Sequence, residues 1–159
     1  FQVAVKSGFL GLAKHFVTMG AHFDSVFITG QTLFHRVVLL NRDIIEHLLE
    51  FGGNFSVCDK QGYTPYHLAI IHRVDVRFIK SFVKHGCPYN QKVSIWSNVV
   101  KKCSHETELF FNAENKFFKG IRENNLELVK SAVTDGAVLT GRSEDMMYPL
   151  HFVVKKGYK

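Results

Sequence analysis

Two short segments hold the residue types that most readily do chemistry. His85-Gly86-Cys87 and Cys103-Ser104-His105 supply two imidazoles and two thiols, the ligand types of a structural zinc site. Their spacing argues against one. A single residue separates the ligands within each pair, tighter than the two to four common in such sites, and Cys87 falls where a helix is predicted to end. His15, His47, His72, His85 and His105 fall on predicted helix surfaces or turns, with no Ser or Cys nucleophile in a strained elbow beside them, so a hydrolase triad has no support. No glycine-rich phosphate loop follows a predicted strand, and no paired carboxylates mark a cleft. The expectation is a chain that is not an enzyme, with no metal site and no cofactor.

Composition narrows the class further. The chain has 159 residues, 46% of them hydrophobic, with 12 Gly and 3 Pro, which fits a packed core and excludes collagenous and low-complexity classes. Apolar runs such as 37–40 and 68–71 stop far short of the roughly 20 residues that span a bilayer, so no membrane insertion by this segment is expected. Cys58, Cys87 and Cys103 cannot all pair within one chain and read as reduced thiols, which places the chain in the cytoplasm. A piece of a larger secreted, toxin-like chain would share that pattern. Residues 1–91 carry nine Lys+Arg and six Asp+Glu, and residues 92–159 carry eleven and eight, so the net +6 divides into +3 and +3. The even spread, whose tight basic pairs are Lys101-Lys102 and Lys155-Lys156, predicts no specific nucleic-acid partner.

The elements that would position these side chains recur along the chain. Gly62-Tyr63-Thr64-Pro65-Tyr66-His67-Leu68-Ala69 is echoed by Gly30-Gln31-Thr32-Leu33-Phe34-His35 and by Tyr148-Pro149-Leu150-His151. Thr64 is a good N-cap, and Pro65 has its backbone angle preset for the first helical turn and no amide to lose. Downstream, amphipathic stretches stop at Gly52, Gly86 and Gly136, where a left-handed residue closes a helix without a side-chain clash; 13–21 has the same shape. One unit is therefore helix, turn, helix and loop. Neither helix buries its apolar stripe alone, so units must stack.

These residues resemble the ankyrin repeat, whose motif opens G-x-T-P-L-H-L-A-A and closes I-V-x-L-L-L-x-x-G-A; residues 62–69 match that opening with Tyr66 in place of Leu. Taking His67 as anchor, the equivalents are Gln2, His35, Ser97, Phe118 and His151, with intervals of 33, 32, 30, 21 and 33 residues. The resemblance implies an all-α helix-turn-helix repeat solenoid of about four to six units, partial at both ends and expected to be part of a longer chain. The units are 1–24 (partial), 25–57, 58–91, 92–115 (a degenerate repeat or linker), 116–139 (lacking its loop) and 140–159 (partial). Asn41 and Arg73 stand where inter-helix glycines are usual. Phe118 follows Asn115 by only three positions, so either 107–123 is one long helix or 92–115 links two stacks. The resemblance also implies that His35, His67 and His151 are structural, their rings hydrogen-bonding between neighbouring loops.

Function follows from the same resemblance. It implies a non-catalytic module that presents a concave, mixed apolar and polar surface to a protein partner of unknown identity. The contact positions carried over are Lys6 and Ser7; Ile28, Thr29, Gln31, Leu39 and Leu40; and Lys60, Gln61, Tyr63, Ile71 and His72. Ile28, Leu39, Leu40 and Ile71 form an aliphatic strip expected to face solvent. The rival reading is an architectural arm or spacer of a larger assembly, such as a channel, scaffold or ankyrin-rich secreted toxin.

Overall fold

The computed structural model describes residues 3–4, 7, 9–19, 30–40, 44–50, 52, 55–87, 96–143 and 147–157. Within them lie nine helices: α1 Leu10–Thr18, α2 Leu33–Leu40, α3 Ile45–Glu50, α4 Pro65–Ile71, α5 Val76–Lys84, α6 Trp96–Val100, α7 His105–Arg122, α8 Leu126–Thr134 and α9 Pro149–Lys156. Local chemistry explains where they start and stop. The Thr64 side chain accepts the His67 amide at the head of α4, with Pro65 in the first turn. Asp75, Ser104 and Asn125 cap α5, α7 and α8 in the same way. Gly52, Gly86 and Gly136 all sit at positive φ beyond their helices, as the sequence pattern requires. The tight turn between α4 and α5 puts Arg73 itself in the left-handed region, at φ 51°.

Stacking follows from the stripes. Helix α2 packs on α3 and α4, α3 on α5, α4 on α5 and α6, α5 on α7, and α7 on α8 and α9, giving an all-α solenoid. One apolar cluster runs from Val37 and Leu48 through Ala69, Ile79 and Val83 to Phe118 and Phe152. Aromatic rings bridge successive units: Phe34 meets Phe55 at 4.5 Å, Phe55 meets Phe82 at 5.7 Å, and Tyr66 touches both Phe82 at 5.8 Å and Trp96 at 6.3 Å. Trp96 in turn contacts Phe111 at 5.7 Å, carrying the ring-to-ring packing into α7.

Helix α7 is unbroken across 115 and 116, the long-helix alternative of the two left open by the sequence. Its buried side chains are Thr107, Phe110, Phe111, Ala113, Glu114, Phe117, Phe118 and Ile121, a stripe of helical period from end to end. Gly120 admits α8 against it: a Cβ there would stand 3.0 Å from the Val129 amide nitrogen and 3.2 Å from the Asn125 carbonyl oxygen. Among the described residues no helix is long and apolar enough to cross a membrane.

Candidate functional site

The loop tip between units is built around Asp59. Its buried carboxylate accepts the amides of Gln61 and Tyr63, both at 2.9 Å, while the Asp59 amide donates to the Tyr63 carbonyl at 2.8 Å. Gly62, at φ 84°, closes the turn. Four of the tip's polar backbone groups are thereby satisfied internally, and Lys60 and Gln61 project outward, exposed. The preceding loop lies against this one: a Cβ on Gly30 would fall 2.9 Å from the Lys60 amide nitrogen. Backbone stacks directly on backbone, which only glycine permits there.

His35 ties the tip to the helix layer. The Thr32 amide, which can only donate, points at Nδ1 of His35 at 3.0 Å, so Nδ1 is the unprotonated nitrogen. Nε2 then carries the proton and donates to the Tyr63 carbonyl, 2.8 Å away in the next unit. Burial lowers the pKa of His35 from its ordinary value, against the opposing pull of the Tyr63 carbonyl and the Asp59 carboxylate. A neutral ring in this tautomer is what both partners require. His67 repeats the local half of the arrangement, with the Thr64 amide 3.0 Å from its Nδ1. His151 does not. It is exposed, its ring rests against Tyr148 at 5.6 Å, and the N-cap of its helix is Tyr148, which makes no side-chain cap bond. Among the described residues His151 therefore does not take the role that the resemblance implied, its helix having no threonine at the cap.

The structure places the expected contact residues unevenly. Ser7, Leu39, Lys60, Gln61 and His72 are exposed, Gln31 and Tyr63 are half-buried, and Leu40 lies in the last turn of α2. Lys6, Ile28 and Thr29 lie outside the described residues. Ile71 differs from expectation. It is half-buried and packs against the core, because the turn after α4 folds α5 back beside it. Of the aliphatic strip, Leu39 is the side chain seen to face solvent, at 39% exposure.

The groups with chemical potential elsewhere are held in packing roles. Cys87 is buried, which pushes its thiol up to about 12 despite the nearby Arg142 guanidinium, so no thiolate forms there at neutral pH. Cys103 is half-buried and also raised, first by burial and then by the Glu108 carboxylate. His85 Nδ1 is engaged with the Ser81 carbonyl at 2.8 Å. Among the described residues no group of three or more His, Cys, Asp or Glu converges as metal ligands would. Glu114 is fully buried in α7, where one carboxylate oxygen accepts the Val138 amide and the other has no hydrogen-bond partner among the described residues. Burial pushes its pKa up to about 7, with the Val138 amide and Lys80 pulling the other way.

Sequence reasoning missed Asp59 and Glu114. The first was within reach: an Asp three residues before Gly62 is a side-chain-to-backbone turn signal. The second was not, because a lone Glu inside a helix reads as surface.

Residues 1–93 match a family described as ankyrin repeats (3 copies). No curated protein matches the chain. Among solved structures, the chain is similar to the crystal structure of the ankyrin repeat domain of Bcl-3, described as a unique member of the IkappaB protein family. The two share 18% sequence identity at a TM-score of 0.55, with 98% of this chain and 79% of that chain covered. At that identity the likeness speaks for the fold.

Proposed function

Because the chain belongs to the ankyrin-repeat family, whose repeats serve as protein-protein interaction modules, we propose that its concave face, from Leu39 across the 59–63 tip to His72, docks a protein partner without catalysis. The observation that carries this reading is the internally satisfied tip. Asp59, Gly62 and the His35–Tyr63 bond hold Lys60 and Gln61 outward in one conformation, so little ordering entropy is lost on binding. Leu39 adds an exposed apolar contact, and half-buried Tyr63 supplies an aromatic edge of the kind that anchors interfaces. Lys6, Ser7, Ile28, Thr29, Gln31 and Leu40 complete the proposed contact set. Three free thiols suit a reducing cytoplasm.

The test is a capture experiment with three baits compared by quantitative mass spectrometry: the native chain, Leu39→Asp with Lys60→Glu, and Lys101→Glu as a control away from the tip. The reading expects partners held by the native and control baits and lost from the double variant, whose helical circular dichroism stays native. An unchanged partner set on the double variant would overturn it. Ile71 is unsuitable for the test because a charge there would disturb the core that it packs against.

A further inference from the structure

Among the described residues Glu114 is the most deeply buried charged side chain, at 0% exposure, and it lies under a turn between α8 and α9. Its Oε1 accepts the Val138 amide, which fastens that turn to α7. Its Oε2 has no hydrogen-bond partner among the described residues and meets the underside of the same turn. A Cβ on Gly141 would stand 3.4 Å from Oε2 and 2.8 Å from Cγ1 of Val83 in α5. The turn is compact, with the Gly141 amide donating to the Val138 carbonyl at 3.2 Å, and thin: Gly141 is buried while Leu139 and Thr140 are exposed. From α5 the charged side chain facing Glu114 is Lys80, whose ammonium lies 5.5 Å from the Phe110 ring centroid. The charged groups of the other elements around α7 are engaged elsewhere. Asp135, at the end of α8, pairs with Lys116 at 2.7 Å, Glu127 pairs with Lys130 at 3.0 Å, Arg142 donates to the Tyr148 hydroxyl at 2.9 Å, and His151, Lys155 and Lys156 of α9 are exposed.

We propose that the 138–141 turn is a proton-operated latch, seated on α7 while Glu114 carries a proton and lifted when that proton leaves to solvent. A neutral carboxyl suits the site, because Oε1 still accepts the Val138 amide and a hydroxyl costs far less to bury than a charge. A carboxylate does not. Among the described residues one backbone amide and one facing ammonium are set against the loss of its hydration. Helices α5 and α7 are held by their own buried stripes, with Val83 and Phe118 fully enclosed, whereas the turn is one loop thick. Lifting the turn is therefore the least costly way for water to reach the carboxylate. The sign follows from burial, which pushes the pKa of Glu114 from 4.5 up to about 7. The hold of the turn is complete below 4.5 and is lost as pH rises towards 7. Because the turn lies between α8 and α9, its release slackens the last unit and leaves the α4–α5 stack in place. The latch is separate from the concave face and does not rest on that reading.

Residue-resolved backbone hydrogen exchange on the intact chain tests it, with each rate divided by its intrinsic value at that pH. In the native chain the Val138 and Gly141 amides should lose protection by about tenfold or more between about pH 5 and about pH 8. At the upper pH, Ala69 in α4 and Ile79 in α5 should stay at least about tenfold better protected than either. Glu114→Gln keeps an acceptor for Val138 and cannot ionise, so its turn should hold its protection across the range. Lys80→Gln removes the ammonium that favours the carboxylate, so its loss of protection should move to higher pH. That variant carries the test on its own if Glu114→Gln does not fold. The proposal is overturned if Val138 and Gly141 of the native chain stay protected to the upper pH, if they lose protection equally in Glu114→Gln, or if Lys80→Gln leaves the transition where it was. It is equally overturned if Ale69 and Ile79 fall to the level of Val138, because the whole stack would then be opening instead of the turn.

Discussion

Asp59, His35 and Glu114 are buried polar side chains held by backbone groups, His35 with the Thr32 hydroxyl at 2.9 Å besides, and each makes a separable prediction. Asp59→Ala strands the Gln61 and Tyr63 amides without their acceptor, which should cost about 1 to 3 kcal/mol in denaturant melts and loosen the proposed contact tip. His35 and Glu114 act oppositely with pH. The folded-state pKa of His35 is depressed, so its contribution is intact above the unfolded value of 6.5 and is lost as pH falls below it, when the unfolded chain takes up the proton first. The folded-state pKa of Glu114 is raised from 4.5 to about 7, so its contribution is intact below 4.5 and is lost as pH rises towards 7. Glu114→Gln keeps an acceptor for Val138 but cannot ionise. Its stability relative to the native chain should therefore climb between pH 4.5 and 7, by on the order of 3 kcal/mol at most. A constant difference across that range, measured by urea melts at stepped pH, would show that Glu114 is not held protonated.

Helices α7, α8 and α9 show how packing outranks propensity. Gly120→Ala raises intrinsic helix propensity in the last turn of α7, yet its Cβ would press on Val129 and the Asn125 carbonyl where α8 turns back. The expected result is a loss of about 1 to 3 kcal/mol by thermal melt; a gain would mean that the α7–α8 hairpin can open without strain. Along α9, Leu150 and Val154 are 74% exposed while Phe152 between them is buried. Charging the exposed pair as Leu150→Lys with Val154→Lys should change stability by no more than about 0.5 kcal/mol per site, whereas Phe152→Ala should cost about 3 kcal/mol or more. Comparable losses from the two would place the α9 register one face away from where it is described.

At the scale of the whole molecule, a stack of this kind is stabilised by nearest neighbours, so protection should follow the number of covered faces. Helices α4 and α5 have neighbours on both sides, with Ala69, Ile79 and Val83 fully buried. Helix α1 leaves Leu12 exposed, as is Met19 just beyond its end, and α9 leaves Leu150 and Val154 so. Hydrogen exchange should accordingly be slowest in α4 and α5 and fastest in α1 and α9. Uniform exchange along the chain would mean that it unfolds as a single unit.

Helix starts and stops were legible in the sequence, because Thr64 capping, Pro65 in a first turn and Gly86 closing a helix are each satisfied within a few residues. The stacked all-α architecture followed, since stripes of period near 3.6 on paired short helices have nowhere to go but against the next pair. The unbroken α7 was not, since a long helix and a linker both stayed open; its stripe of Thr107, Phe110, Phe111, Phe117, Phe118 and Ile121 is interrupted chemically, though not sterically, by Glu114. What only the tertiary structure decided depends on residues far apart in the chain. His35 meets its carbonyl acceptor 28 residues away, and Glu114 meets its amide donor 24 residues away. Ile71 turns toward the core and His151 away from it, and Arg122 joins Lys155 and Lys156 only once α9 lies on α7. Capping and turn formation are sums over adjacent residues and can be read in order; burial and charge clustering are sums over neighbours in space, and stacking chooses those neighbours.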